Sequence, residues 1–204
     1  MLGFLALLMQ ELAETAADGR AARALRTRNR VVDALLDLVD EGHLRPSAAR
    51  VAQRAGVSLR SVYQHFADLE TLFRIAGERH RERYAHLERL PDLPDELGAR
   101  VAAYVAHRAS WMEAVSPMAR AAALQAPFSP GIAARQAAGR ARQREALAAA
   151  FGPELERAAE PERLLHALEA VAGWSTWEGL RTAAGLPRQE AAHVLELLLI
   201  RVLT

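Results

Sequence analysis

The amino-acid sequence predicts an all-α protein with a small N-terminal helical bundle and a larger C-terminal helical domain. Ala, Leu, Glu and Arg, which are strong helix formers, dominate the 204 residues. Apolar residues recur at helical spacing in long runs, and no sustained run alternates apolar and polar residues as a half-buried strand would. Because 51% of the residues are apolar, the chain can bury a substantial core.

The chain contains no cysteine, and this absence indicates the cellular compartment. This absence excludes disulfides and thiolate metal sites and is typical of a reducing compartment, so we expect a cytoplasmic protein. The apolar start, residues 1–12, has no preceding basic residue and no cleavage pattern, and it is shorter than the ~20 residues that span a bilayer. We interpret residues 1–25 as a helical N-terminal extension, or as the product of a misassigned start, and expect no membrane partner.

The first helix of the bundle is predicted to begin at Thr27, whose hydroxyl can cap its N-terminus, and to end at Gly42. Its inward face is one apolar stripe whose residues lie about a turn apart. That stripe comprises Val31, Val32, Leu35, Leu36 and Val39. A short connection, residues 43–46, follows.

Two short helices joined by a sharp turn come next. Ser47 can cap the second helix, and Gly56 lies where the chain must turn, a position that commonly needs a positive φ. Ser58 can cap a third helix only two residues later, and that helix presents Val62 and Phe66 inward. This arrangement is that of a helix-turn-helix.

Asp68 opens a fourth, long helix that we expect to extend to about residue 90, because Pro91 and Pro94 stop it. The stretch 91–94 is the predicted boundary between the bundle and the C-terminal domain. Beyond it, proline and glycine divide the chain into further helices. These are predicted at about 95–115, 117–125, 130–151, 161–184 and 187–203.

The residues of the helix-turn-helix match a known pattern. From Ser47 the sequence reads SAARVAQRAGVSLRSVYQHFADLETLF, which closely resembles the DNA-binding domain of the TetR family. That family has a small hydroxyl residue opening the second helix, an aliphatic-Ala pair, Ala-Gly-Val-Ser at the turn and Tyr-x-His-Phe ending the third helix. The matching residues are Ser47, Val51, Ala52, Ala55, Gly56, Val57, Ser58, Tyr63, His65 and Phe66. In fine detail the resemblance covers residues 27–75.

The resemblance implies a homodimeric, ligand-responsive transcriptional regulator, with repression as the family's commoner mode. It would bind a palindromic double-stranded operator through the helix-turn-helix and be released by a small-molecule effector, without a cofactor. The implied parts are a DNA-binding domain at 26–73, a connecting fourth helix at about 68–90, and a ligand-binding and dimerisation domain at 91–204. A transcriptional activator of the same fold stays open.

The expected DNA contacts lie around the third helix, where the sequence is also basic. Residues 20–66 contain nine Arg and four acidic residues, although the whole chain carries a net charge of only +1. Hydroxyls and N–H groups at the helix N-termini, at Ser47 and Ser58, can meet phosphate oxygens. By the resemblance, the residues nearest the base edges are Leu59, Arg60, Ser61 and Gln64, of which Arg60 can contact guanine and Gln64 adenine. The full predicted set is Arg28, Ser47, Ser58, Leu59, Arg60, Ser61, Tyr63, Gln64 and His65.

One position departs from the family pattern. Leu69 stands where the family usually has a Lys that contacts phosphate. We therefore expect the affinity for DNA to depend on Arg26, Arg28 and Arg30, which could reach the backbone or the minor groove. Two alternatives stay open: these three residues could be a solvated helix start, and Arg60 could contact phosphate rather than a base.

The last two predicted helices are unusually apolar, and the final one is apolar almost all round, so it must be covered on more than one side. In the TetR family the corresponding helices pair with those of a second subunit. The resemblance therefore implies a dimer interface that includes Leu168, Val171, Trp177, Val194, Leu195, Leu198 and Val202.

Aromatic, His and Met residues of the middle helices are candidates to line a cavity for the effector. The set comprises Tyr104, His107, Trp111, Met112, Met118, Phe128, His166 and Trp174. The alternative for each is plain core, since such residues at helical spacing more often pack than bind. His107 and His166 are the polar members, and a buried imidazole needs a partner.

Two other classes of protein fit parts of the sequence. A helical carboxylate-bridged metalloenzyme would need two Glu-x-x-His motifs and two further Glu, but only Glu190 and His193 have that spacing. The sequence contains no His-Glu-x-x-His motif, no phosphate-binding glycine loop and no nucleophile elbow, so we expect neither an enzyme nor a metal site. An architectural DNA-binding protein would leave most of the chain without an evident use.

Overall fold

The computed structural model describes the backbone of residues 2–204 and the side chains of residues 21–204. Met1 and the side chains of residues 2–18 and Arg20 lie outside the described residues, and most of the predicted N-terminal extension lies among them. The described backbone is helical and contains no strand, which confirms the all-α prediction. No helix in this part of the chain is long and apolar enough to cross a membrane.

The helices in residues 2–204 are α1 (Leu2–Asp40), α2 (Ala48–Ala55), α3 (Leu59–His65), α4 (Leu69–Arg83), α5 (Leu97–Gln125), α6 (Pro130–Ala150), α7 (Gly152–Arg157), α8 (Pro161–Val171), α9 (Trp174–Glu178) and α10 (Arg188–Leu203). Short 3-10 turns follow α4 and α5, and a π-helical turn continues α9. The chain divides into two compact units, Met1–Arg79 and His80–Thr204.

The first unit is built around α1, which packs against α2 and α3. The predicted stripe on α1 is buried, as expected, with Val31, Val32, Leu35, Leu36 and Val39 each at most 1% exposed. The prediction that Thr27 caps this helix is wrong, because Thr27 lies inside α1. The Ala, Leu and Arg residues before it are strong helix formers, so nothing in the backbone ends the helix there. Beyond the helix, Gly42 turns the chain with a φ of 91°.

The helix boundaries of the second unit differ from the predicted ones in several places. α5 is one helix of 29 residues with Pro117 inside it, so the predicted break at residue 116 is wrong. Its packing against α9 and α10 holds the helix together although Pro117 has no N–H to donate. α4 ends at Arg83 rather than near residue 90, and the short helix α7 was not predicted.

The predicted helix at 161–184 is interrupted at Gly173, which has an extended backbone (φ −71°, ψ 152°) between α8 and α9. A Cβ atom at this position would lie 2.9 Å from the Glu169 carbonyl oxygen, so a glycine is needed for the close approach. The interruption turns Trp174 toward α5, where its indole Nε1 donates to Ser116 Oγ at 3.0 Å. This tertiary contact is invisible in the helical periodicity of the sequence.

The core of the second unit is a single cluster formed by α5, α6, α8, α9 and α10. Its fully buried members include Tyr104, Met112, Leu147, Phe151, Leu168, Trp177, Leu195 and Leu199. The Tyr104 and Phe151 rings pack edge to face with their centroids 5.3 Å apart. Beside this cluster, the Arg100 guanidinium forms a buried ion pair with Glu154.

Candidate nucleic-acid interface

The turn between α2 and α3 has the geometry that the sequence predicts. Ser47 Oγ accepts a hydrogen bond from the Arg50 N–H at 3.3 Å, and Ser58 Oγ accepts one from the Ser61 N–H at 3.1 Å. Both serines therefore cap their helices. Between the helices, Gly56 has a left-handed backbone with φ 64°. These local contacts set the angle at which α3 leaves the turn.

The inner side of α3 is held by apolar packing. Val62 and Phe66 are almost completely buried, and so are Val51 and Ala52 of α2. Because α3 contacts both α1 and α2, its outer face is presented on a rigid support.

The outer face of α3 is exposed and mixed in chemistry. Leu59 is 44% exposed and Tyr63 53%, and the side chains of Arg60 and Gln64 are also exposed. Leu59 and Tyr63 lie one helical turn apart, as do Arg60 and Gln64, so the two pairs form one broad face. Of the other predicted contacts, Ser47, Ser58 and Arg28 are exposed, while Ser61 and His65 are half-buried. Arg28 lies beside the end of α3, with its guanidinium 5.7 Å from the centre of the Phe66 ring.

Arg30, one of the three Arg expected to support DNA affinity, also has a structural role. Its Nη2 donates to the carbonyl oxygens of Ala55 and Gly56, the latter at 3.2 Å. The side chain therefore links α1 to the turn of the helix-turn-helix. A sequence pattern cannot show this contact, because the partners are 25 and 26 residues apart.

Other Arg residues of the first unit are also paired. Arg54 forms two hydrogen bonds with Glu41, at 2.7 and 2.5 Å, and these hold the pKa of the Glu41 carboxyl below its usual value. Arg79 binds Asp33 at 2.9 Å. In the described part of the first unit, Arg26, Arg28, Arg45 and Arg60 are exposed and form no ion pair or hydrogen bond through their guanidinium groups.

Arg45 was not among the predicted contacts. It is exposed and lies two residues before the capping Ser47. Its position just before a helix N-terminus could have indicated this contact. The Arg45 guanidinium and the free N–H groups of the helix would both attract a phosphate.

Asp68 and Leu69 form the beginning of α4. Asp68 Oδ1 accepts a hydrogen bond from the Thr71 N–H at 2.6 Å, and this bond lowers the pKa of the carboxyl. Leu69, at the position where the family has Lys, is half-buried. The start of α4 therefore presents no cation to a phosphate.

Replacing Gly56 by Ala is expected to destabilise the first unit by ~1–2 kcal/mol, because a residue with a Cβ atom is strained in the left-handed region. The new Cβ would also lie 2.9 Å from Arg30 Nη2 and displace that side chain from the turn. Chemical denaturation measures the change. Gly42→Ala is the matched control, since its φ is also positive, at 91°, but its Cβ meets nothing within 4 Å. Equal losses in the two variants would show that the Arg30 contact adds no stability.

The second unit contains a cavity of about 600 Å³ between α5, α6 and the segment that joins α8 to α9. Of the eight predicted ligand contacts, Trp111 and Trp174 line it. The cavity exists because most residues that face it from α5 and from the turn after it are small. The small ones are Val115, Ala119, Ala122, Ala123 and Ala126. Gln143 and Arg140 of α6, which the sequence analysis missed, also line it.

The other six predicted ligand contacts lie elsewhere. Tyr104 and Met112 belong to the buried core, and burial raises the pKa of Tyr104 to about 12. Met118 is also buried, whereas Phe128 is 79% exposed. His107, His166 and Phe128 do not line the cavity.

The two histidines have different surroundings. His107 is half-buried, and burial lowers the pKa of its imidazole. Its Nδ1 has no hydrogen-bond partner among the described atoms. His166 is exposed, and its Nδ1 lies 3.1 Å from the Glu169 carboxylate.

The predicted dimer residues fall into two groups. Leu168, Trp177 and Leu195 are at most 2% exposed and lie in the core of their own unit, so their side chains are covered without a second subunit. The other four, Val171, Val194, Leu198 and Val202, reach the surface.

On α10, Val194, Leu197, Leu198 and Arg201 lie on one outward stripe, and Leu197 is 57% and Leu198 37% exposed. We call these four residues the α10 stripe. Leu197 was missed by the sequence analysis, although its spacing of three residues from Val194 could have indicated it.

The motif considered for a metalloenzyme does not form a cluster. Glu190 and His193 are both exposed on α10. Within the part of the chain that the structure describes, no group of three or more His, Asp or Glu residues is placed to hold a metal ion.

Three solved structures resemble this one over most of its length. A transcriptional regulator from Rhodococcus sp. Rha1 is 24% identical and has a TM-score of 0.67 over 86% of this chain and 95% of its own. A candidate transcriptional regulator from Streptomyces coelicolor A3(2) is 25% identical, with a TM-score of 0.60 over 88% and 99% of the two chains. A candidate TetR-family regulator from Mesorhizobium loti MAFF303099 is 17% identical, with a TM-score of 0.53 over 89% and 96%. No family model and no curated protein matches the sequence.

Proposed function

We propose that this chain, which has the fold of the TetR-family transcriptional regulators, is a cytoplasmic repressor that binds a palindromic operator as a homodimer. A small-molecule effector bound in the second unit releases it. The observation that carries the proposal is the exposed face of α3, which presents Arg60 and Gln64. Ser58 caps this helix, and the left-handed Gly56 joins it to α2, which Ser47 caps. The proposal assigns no catalytic residue and no cofactor.

The residues around α3 divide into two kinds of contact. Ser47, Ser58, Arg28 and Arg45 lie at helix N-termini or beside α3, where they suit phosphate oxygens. Arg60 and Gln64 have the side chains that read guanine and adenine in the major groove. Predicted contacts Leu59, Ser61, Tyr63 and His65 complete the interface. Apolar Leu59 suits a thymine methyl group.

Dimerisation is supported by the α10 stripe, which leaves two large leucines exposed on an isolated subunit. A groove between α8 and the end of α10 has Leu164, Ala167, Val202 and Leu203 in its wall, together with charged residues that include Arg163. A second copy of the chain would cover both surfaces. A two-fold dimer presents two recognition helices to half-sites about 34–36 Å apart along the DNA.

Release by an effector requires that the effector bind the two states of the dimer with different affinities. The cavity beside Trp111 and Trp174 is the proposed binding site. α4 joins the two units along the chain, because the division between them falls inside this helix. A ligand-dependent change in the second unit would therefore reach the first unit through α4.

The test is binding of the purified protein to DNA that flanks its own coding region, against scrambled competitor at one near-physiological salt concentration. We expect two protected half-sites related by a palindrome. Equal binding to scrambled DNA would contradict the proposal. A reporter gene placed behind the promoter in this flanking DNA distinguishes repression from activation. Removing a repressor raises expression of the reporter, and removing an activator lowers it.

Arg60→Ala is expected to weaken operator binding by ~1–3 kcal/mol and to relax the preference at one base pair in each half-site. The reason is the loss of a paired guanidinium contact with one base. A competition assay with singly substituted operators measures both effects. Arg28→Ala is the control, since loss of a phosphate contact should weaken binding equally on every sequence. The same uniform loss in Arg60→Ala would assign Arg60 to the phosphate backbone.

A further inference from the structure

We propose that the cavity of the second unit binds a flat aromatic ring system that carries an oxygen acceptor, in the form of a ketone, amide or carboxylate. This inference rests on the proposed function only in that the ligand would be the effector. Binding itself depends on the cavity and can be tested without DNA.

The ring system is indicated by the two indoles that line the cavity. Trp174 is held in place because its Nε1 donates to Ser116 Oγ at 3.0 Å, and Ser116 Oγ donates in turn to the Met112 carbonyl at 2.7 Å. Trp111 is held by Arg108, whose guanidinium carbon lies 4.1 Å from the ring centre. Two fixed indoles favour a flat aromatic ligand, since aromatic rings pack against each other with a preferred geometry.

The size of the cavity agrees with a ligand of two or more fused rings. Its volume of about 600 Å³ lies in the middle of the range for small-molecule sites, about 300–1,000 Å³. Its walls are mostly apolar because α5 contributes alanines and a valine and α6 contributes Gly139. A ligand without an apolar ring system would gain little from such walls.

The oxygen acceptor is indicated by Gln143. Gln143 lines the cavity, and its side-chain Nε2 is buried without a hydrogen-bond partner among the described atoms. Rotation about the last side-chain torsion, which is soft, would bring Nε2 to the cavity surface. A buried donor without a partner costs free energy, and an acceptor on the ligand would remove that cost. Gln143 is therefore the residue that selects ligands with an oxygen.

The charges at the cavity disfavour a cationic ligand. Arg140 lines it, is exposed and has no ion-pair partner among the described residues. The carboxylate of Glu169, which also lines it, is paired with Arg144 at 2.6 Å and lies 3.1 Å from His166. The guanidinium of Arg140 is thus the unpaired charge, and it would attract a carboxylate on the ligand.

Isothermal titration calorimetry with three probes of one shape tests the proposal: 2-acetylnaphthalene, 2-naphthoate and 2-methylnaphthalene. We expect the two probes with oxygen to bind about tenfold or more tightly than the hydrocarbon, which corresponds to one good hydrogen bond. Equal affinity of the hydrocarbon, or no binding of any probe, would overturn the assignment.

Variants of α6 identify the groups responsible. Gln143→Leu should weaken both oxygen-bearing probes about tenfold and leave 2-methylnaphthalene unchanged, whereas Gln189→Leu, exposed on α10, should change nothing. Arg140→Gln should weaken only 2-naphthoate, and Arg142→Gln, exposed on the same helix outside the cavity, is its control. Undiminished affinity in Gln143→Leu would overturn the role of the oxygen.

The experiments can contradict the proposed ligand class without contradicting the proposed regulator function, and the reverse. A protein that binds operator DNA and none of the probes overturns the ligand class alone. A protein that binds the probes with the expected dependence on Gln143 but does not bind DNA overturns the regulator proposal and supports the ligand class.

Discussion

Leu198→Glu is expected to convert the proposed dimer into a monomer. Leu198 lies at the centre of the α10 stripe, next to the more exposed Leu197. In a two-fold interface each substitution occurs twice, so two carboxylates would be taken out of water, and the Arg201 of each stripe would also have to be desolvated to pair with them. Burying each carboxylate costs several kcal/mol, which is a large part of the binding free energy of an interface of ordinary size. The dissociation constant should therefore rise about 1,000-fold or more.

Sedimentation equilibrium over a range of concentrations measures this shift, and operator affinity should fall with it because each half-site would be bound alone. Leu124→Glu is the matched control. Leu124 is 52% exposed on α5, outside the stripe, so the same change of residue should leave the dimer intact. A Leu198→Glu protein that stays dimeric would place the interface elsewhere.

Arg100→Met is expected to lower the free energy of unfolding by about 3–5 kcal/mol, because it leaves the Glu154 carboxylate buried and unpaired. The side chains of Arg100 and Glu154 are only 9% and 10% exposed. Arg100 also donates from Nη1 to the Asp95 carbonyl at 2.8 Å, and that bond would be lost too. Chemical denaturation of the purified protein measures the change.

The double variant Arg100→Met, Glu154→Leu separates the cost of an unpaired charge from the value of the pair. Arg100 Nε and Glu154 Oε2 are buried without hydrogen-bond partners, so the pair is incompletely satisfied. We expect the double variant to recover most of the lost stability, since an apolar pair of similar volume is often as stable as a buried ion pair. A double variant as unstable as Arg100→Met would show that the residue volumes, not the charge, decide.

The helix-turn-helix could be predicted from the sequence because its geometry is local. The caps at Ser47 and Ser58 each join atoms three residues apart, and the left-handed turn at Gly56 depends on the residue type at one position. Such features follow from hydrogen bonds and backbone sterics within a few residues. The same reasoning failed for Thr27, because a residue that can cap a helix need not lie at a helix end.

The cavity could not be predicted in the same way. The aromatic and Met residues at helical spacing divide between core and cavity according to which neighbouring helix they meet. Tyr104 packs on Phe151, whereas Trp174 reaches Ser116 across an interruption at Gly173. The residues of these two contacts are 47 and 58 positions apart in the sequence, so neither contact produces a local sequence pattern.

By itself, therefore, the sequence determined the all-α class, the turn between α2 and α3 and the exposed face that carries Arg60, because periodicity and capping act within one or two helical turns. The tertiary structure alone decided that Arg30 supports the turn, that Leu195 is core while Leu197 is surface, and that Gln143 faces a cavity. Each of these depends on which distant helix covers the side chain, and burial and pairing are properties of that contact rather than of the residue.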